Sequence, residues 1–278
     1  MSGFVSKLKF VPSLLTCSSA FCGILATILA MEGEKGLVYA AYLIFIAAVF
    51  DFSDGFAARL LGAASELGKQ LDSLADAISF GVAPTAIMYQ MFKQSMHINC
   101  KLLDAPMWQI AIALSAALIG IFAILRLAKF NIDPEQAHSF KGLASPACAI
   151  FVASLALIEP MVPEDFWLYK IVHATTGAQF PYKLELALIG LEVYVCRNWH
   201  WLLPMCVFIA TMMITNLPMF SLKLKSLKYS DNKVVYNFVI CSALLIFLLK
   251  WIAIPLITIL YIIVSFVDWL ATKKEQKP

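Results

Sequence analysis

Four aspartates carry most of the chemistry available to this chain. Asp51 and Asp54 are three positions apart, and Asp72 and Asp76 are four apart. Residues at those spacings share one face of a helix. Asp51, Asp54, Gly55 and Ala58 make one stripe, acidic and then small; Gly68, Asp72 and Asp76 make another, small and then acidic. Two such helices side by side put four carboxylates around one cavity, with small residues beside it to admit a ligand. The arrangement is costly. A carboxylate at the centre of a membrane helix costs about 2.5–3.5 kcal/mol, and four together repel one another. Protons or bound cations must offset this. Hard divalent ions suit all-oxygen ligands, and Mg²⁺ is commonly held by a few carboxylates together with substrate phosphates.

The elements that position these residues are membrane helices. The chain has 278 residues, 61% hydrophobic and 14% charged, with a mean hydropathy of +0.82. A soluble domain is about half apolar and about a quarter charged. The predicted fold is therefore an all-α polytopic bundle of eight spans: 13–31, 37–60, 72–92, 106–128, 144–162, 199–219, 234–249 and 252–270. The first apolar segment lacks a small-x-small cleavage site and is read as a retained span. Residues 1–10, with Lys7 and Lys9, form an amphipathic or simply basic lead-in. Residues 163–198 are predicted as an extramembrane insert with an interfacial helix, in which Glu185 and Glu192 lie on a solvated face. The expected division is a main membrane domain over 1–228 and a C-terminal pair of spans over 229–278.

Charge gives an orientation. With eight spans and the N-terminus inside, 14 of the 21 Lys and Arg residues fall in inside segments and 7 in outside ones. That bias places both termini in the cytoplasm, and Asp51–Asp76 at the cytoplasmic end of spans two and three. A net charge of +3 is too small to imply a nucleic-acid partner. The seven cysteines show no C-x2-C pair and indicate neither a metal knuckle nor a disulfide framework. His97, His138, His173 and His200 are scattered and take no role.

The run Asp51–Asp76 is similar to the signature of the CDP-alcohol phosphotransferases, D-x2-D-G-x2-A-R-x8-G-x3-D-x3-D. Asp51, Asp54, Gly55, Ala58, Arg59, Gly68, Asp72 and Asp76 fill every position of it. The resemblance implies that Asp51, Asp54, Asp72 and Asp76 bind two divalent ions, Mg²⁺ or Mn²⁺. It implies that Asp76 also deprotonates the acceptor hydroxyl, and that CMP leaves. Gly55, Ala58 and Gly68 would let a cytidine nucleotide approach the backbone, with Arg59 meeting a carboxylate or the nucleotide. The small residues are equally the types used in close helix packing, and Arg59 is equally a topology charge.

Three further stretches resemble the membrane-type phosphatidylserine synthases: AISFGVAPTAIMY after Asp76, RLAKFN with FKGLASPA, and NLPMFSLK. The likeness covers most of residues 10–228. It implies CDP-diacylglycerol and L-serine as substrates, an inner-membrane location and a homodimer. That branch commonly opens its first span with P-N-x-x-T. Here the residues are Pro12, Ser13 and Thr16; the resemblance implies that Ser13, Thr16 and Asp54 also meet the CDP-lipid, and Ser13 either loses a contact to the substrate phosphates or supplies it by its hydroxyl. Arg126, Asn131 and Lys141 are the expected acceptor contacts, because a guanidinium fork suits the serine carboxylate. The same cations could hold glycerol 3-phosphate, as in a phosphatidylglycerophosphate synthase. A divalent-ion transporter is the alternative of another class. It would need a second acidic cluster in a related half of the chain, and spans four to eight show none.

Overall fold

The computed structural model describes residues 10–63, 65–132, 141–158, 194–220, 232–249 and 253–275. Among them every regular element is a helix, and the β-type pairing is a single isolated bridge between Lys141 and Pro218. The lead-in 1–9, His138, His173 and most of the predicted insert, including Glu185 and Glu192, lie outside the described residues.

Helix α1, Val11–Ala30, starts with Pro12 in its first turn, where the missing N–H costs nothing. Its face Pro12, Thr16, Ser19, Gly23, Ala26 and Ala30 is buried, at steps of three and four. Helix α2, Glu34–Leu60, buries Leu37, Ala40, Ala41, Ile44, Ala47 and Asp54 at the same steps. The two helices form an antiparallel hairpin along these faces, and small side chains let them approach closely. Asp51 and Asp54 continue the α2 face beyond Ala47. The packing stripe itself thus becomes acidic at one end.

Gly62 stops α2. Its φ of +55° is natural only to glycine, and the turn closes with Ala63 N–H donating to Ala58 O at 2.9 Å. Ser65 then caps α3, Glu66–Asp76, its hydroxyl accepting from the Gly68 N–H at 3.0 Å. The reversal between α2 and α3 brings the two acidic stripes to the same end of the bundle. Beyond Asp76 the rod continues as a π-helical turn, Ala77–Val82, and then as α4, Ala83–Ser95. The predicted third span, 72–92, is this rod; it begins earlier and changes its winding immediately after the last aspartate.

Helices α5, Met107–Ser115, and α6, Ala117–Ile132, make one length with a step at Ala116. Next come α7, Ser145–Ile158, α8, Trp199–Ile214, α9, Lys233–Leu249, and α10, Ala253–Glu275. The predicted sixth span, 199–219, stops at Ile214. Thr215–Phe220 leaves the helix because its backbone pairs with residues 141–143 instead.

Among the described residues, four lengths are long and apolar enough to cross a bilayer: α1, α2, Met107–Ile132 and Ala253–Leu270. Helices α7, α8 and α9 are apolar but shorter. The surface is apolar too: Phe21, Ile24, Ile28, Ile46 and Val49 are exposed, while Ala26, Ala40, Ala41 and Ala47 are sealed inside. Large apolar side chains outside and alanine inside are the pattern of a protein solvated by lipid.

Candidate active site

The α2 stripe and the α3 stripe meet. Carboxylate oxygens of Asp51, Asp72 and Asp76 all lie within 4.8 Å of one another, each residue half-buried. Oδ1 of Asp76 is buried and has no hydrogen-bond partner among the described residues. Three converging carboxylates with an orphaned oxygen are a poor arrangement for a bare protein. They are a good donor set for a hard divalent cation, which takes oxygen ligands and repays the repulsion. The residues present therefore fit the metals expected of them.

Asp54 stands just outside that trio. It is buried, and the Thr16 hydroxyl donates to its Oδ2 at 2.6 Å. The same hydroxyl lies 2.9 Å from Pro12 O, its alternative acceptor one turn back. Thr16, expected to meet the nucleotide, thus meets an aspartate, and so ties α1 to the acidic end of α2. A cavity of about 220 Å³ opens beside this pair, lined in part by Ser13, Thr16, Asp54, Ala58, Gly68 and Asp72. Ser13, Ala58 and Gly68 come together there from α1, α2 and α3. Lys69 adds a positive charge to the wall. Among the described residues, nothing lies within 4 Å of where a side chain at Gly55 would begin. Arg59 is exposed, and its Nε–H donates to Gly55 O at 3.0 Å on its own helix.

The π-helical turn explains how Asp76 is aimed. Wide turns of this kind occur mostly as single insertions near functional sites. Here the turn presses Ser79 against α1: its hydroxyl donates to Ser19 O at 2.9 Å, and Ser19 in turn donates to Ala47 O on α2 at 3.2 Å. Gly81 packs on Gly120 and Ala123 of α6. The stretch AISFGVAPT, read as a mark of the acceptor, is thus the seam that fixes α3 between α1 and α6.

The acceptor candidates separate into different places. Arg126, on α6, donates from Nη1 to the Ser145 hydroxyl at 3.1 Å, while its buried Nε has no partner among the described residues. Asp76 and Arg126 lie within electrostatic reach of each other. Asn131 is exposed and donates to the Ser73 hydroxyl at 3.0 Å, which pins the end of α6 to α3 between Asp72 and Asp76. Lys141 belongs to a strap: Gly142 N–H donates to Leu217 O and Leu143 N–H to Met212 O, both at 2.9 Å, next to the Lys141–Pro218 bridge. Gly142 has φ +73°, and a Cβ there would stand 2.6 Å from Met213 O. FKGLASPA and NLPMF are therefore two halves of one structure. Sequence reasoning missed Ser73, Ser79 and Ser145. Only Ser145 had a signal, a serine before proline at a helix start.

A sequence model described as CDP-alcohol phosphatidyltransferase matches residues 9–180. The chain is 34% identical over 157 residues to a CDP-diacylglycerol–serine O-phosphatidyltransferase of Helicobacter pylori, an alignment covering 56% of this chain and 60% of that protein. It is 32% identical over 154 residues to the protein of the same name from Bacillus subtilis, covering 54% of this chain and 76% of that one. An archaetidylserine synthase of Methanothermobacter thermautotrophicus is 35% identical over 149 residues, covering 53% of this chain and 58% of its own.

Proposed function

The chain belongs to the CDP-alcohol phosphatidyltransferase family, and on that premise we propose that it moves the phosphatidyl group of CDP-diacylglycerol onto the hydroxyl of L-serine. The products are phosphatidylserine and CMP. The observation that carries this reading is that Asp76 completes the Asp51–Asp72 cluster and is also within electrostatic reach of Arg126. One residue would thus link a phosphate-binding half to an anion-binding half.

Asp51, Asp72 and Asp76, with Asp54 beside them, would hold two Mg²⁺ or Mn²⁺ ions, which when bound supply the positive charge a diphosphate and its leaving oxygen need. The cavity lined by Ser13, Thr16, Ala58 and Gly68 would take the nucleotide, and Lys69 on its wall suits a phosphate. The serine oxygen attacks the phosphorus that carries the diacylglycerol. An O–P bond forms, the bond to the bridging oxygen breaks, and CMP leaves with that electron pair. The hydroxyl proton passes to Asp76. General-base help of this kind is worth about 10²–10⁴-fold.

Arg126 is the proposed seat of the serine carboxylate. Ser145 is the first residue of α7, so the guanidinium that contacts it sits at the positive end of a helix dipole. A cation there is disfavoured, and an anion between the two reverses the sign. The Nε–H of Arg126, without a partner among the described residues, would form with Nη2 a side-on fork for a carboxylate. Arg126→Ala should raise the apparent serine KM by about 10- to 100-fold, the worth of a charge-assisted hydrogen bond. The KM for CDP-diacylglycerol should stay near wild type. A shift in the nucleotide-lipid KM alone would remove Arg126 from the acceptor site.

The reading places the Asp51–Asp76 end of the bundle in the cytoplasm, within eight spans and in a homodimer at the inner membrane. The test is CMP release by the purified protein from CDP-diacylglycerol, with serine, glycerol 3-phosphate, inositol phosphate or no acceptor. Serine-dependent release that stops in a chelator and returns with Mg²⁺ or Mn²⁺ is the expected result. Release that needs glycerol 3-phosphate instead would replace the acceptor. Full activity in the chelator would sink the two-metal site. Divalent-ion uptake into liposomes with no CMP release would make the protein a transporter.

A further inference from the structure

The last helix reaches the acceptor side of the site. Tyr261 of α10 donates its hydroxyl to Phe220 O at 3.0 Å. Its ring packs on Phe220 at 4.8 Å and on Phe238 of α9 at 5.7 Å, and the two phenylalanines meet edge-on at 5.3 Å. Phe220 lies in the non-helical run that follows α8. Three residues earlier in that run, Leu217 O receives the Gly142 N–H. Three residues after Gly142 comes Ser145, fully buried, which holds the Arg126 guanidinium. Tyr261, Phe220, Leu217, Gly142, Ser145 and Arg126 are thus linked in one line, and its far end, Arg126, lies within electrostatic reach of Asp76. Tyr261 and Arg126 also lie within electrostatic reach of one another. Helix α10 packs directly on α7, which Ser145 begins.

We propose that Tyr261 is a positioning residue for the acceptor: its hydroxyl anchors the Leu217–Phe220 strap that holds Gly142–Ser145 behind Arg126, so the C-terminal pair of helices sets acceptor affinity. This goes beyond the family match, which ends at residue 180, and it rests on the assignment of Arg126 to the acceptor. The physical basis is the strap's own weakness. It is non-helical backbone held by few hydrogen bonds, and Gly142 admits no side chain against Met213 O. Without the tyrosine hydroxyl, Phe220 O loses its donor, and the strap gains freedom that binding must then remove.

The experiment compares full-length wild type with Tyr261→Phe, which keeps the ring and removes only the hydroxyl. CMP release is measured with acceptor titrated at saturating CDP-diacylglycerol, then the reverse. The acceptor is serine, or the member of the panel that wild type uses. The expected result is an acceptor KM raised by about three- to tenfold, the worth of one hydrogen bond. The nucleotide-lipid KM, kcat and melting temperature should stay near wild type. An unchanged acceptor KM, or both KM values rising together with a lowered melting temperature, would overturn the proposal. Ser265→Ala is the control. The Ser265 hydroxyl donates to Tyr261 O at 2.7 Å, so its loss disturbs the same turn of α10 but leaves the strap's anchor in place, and its acceptor KM should not move. Wild type that ignores serine refutes the serine reading by itself, whatever Tyr261→Phe does with the acceptor actually used.

Discussion

Asp76→Asn should lower phosphatidylserine formation by at least about 10²-fold and leave CDP-diacylglycerol binding within about tenfold of wild type. Asparagine is nearly isosteric with aspartate and keeps one oxygen towards Asp51 and Asp72, so the fold and much of the cluster survive. It cannot accept the hydroxyl proton. Asp76 is the carboxylate proposed for that task because it is the member of the trio in electrostatic reach of Arg126, and its Oδ1 is not engaged by any other described group. Asp51 and Asp54 sit further back, on the α2 stripe, and Asp54 is already occupied by Thr16. Binding of the nucleotide lipid and turnover must be measured on one preparation. Near-normal turnover would take the base role from Asp76. Lost binding together with lost turnover would leave it only a metal ligand.

Gly23→Val should lower the melting temperature markedly and take turnover down with it. A Cβ at Gly23 would stand 2.6 Å from Ser79 Cα and 2.9 Å from Ser79 N. Both are backbone atoms and neither can rotate away, so either α1 withdraws or the π-helical turn shifts. Overpacking of this kind costs about 1–3 kcal/mol. The second effect is functional, because Ser79 is three residues from Asp76 and its hydroxyl anchors the turn to Ser19. Gly120→Ala is the contrast. Its Cβ would meet Thr85 Oγ1 at 2.9 Å, the end of a side chain that can turn, although it now donates to Gly81 O at 2.8 Å. The two variants should be melted in the same detergent and assayed side by side. Equal melting temperatures would show that the Gly23–Ser79 approach does not constrain the bundle.

The helices and the acidic stripes could be read from the chain because their signals are periodic. The run from Leu37 to Asp54 repeats at three and four, so its helix, its buried face and its acidic end all follow from one pattern. The turn at Gly62 and the cap at Ser65 carry local signals too, but they were not read, and the third span was expected to begin only at residue 72. The π-helical turn was not legible. Residues 77–82, AISFGV, carry no periodicity that separates a wide turn from an ordinary one, and its winding is decided by Ser79 and Gly81 seating against α1 and α6. The strap was illegible for a different reason. NLPMF resembles the end of a span, and only its pairing with Lys141–Leu143, far away in sequence, shows that the helix has already stopped. Thr16 shows the same limit on a smaller scale: the resemblance implies a place for it near a CDP-lipid, but its bond to Asp54 depends on the depth at which α1 and α2 cross.

Met212 and Leu217 are made on the ribosome about 70 residues after the glycine and leucine they hold, and a loop of that length closes late and at an entropic cost. The trio Asp51, Asp72 and Asp76 and the Thr16–Asp54 bond need only the first three helices, whose contacts are local and fast to form. Biosynthesis therefore assembles the two halves of the site in a fixed order. A growing chain can hold every residue of the Asp51–Asp72–Asp76 cluster before the segment that pairs with Gly142 and Leu143 has been made.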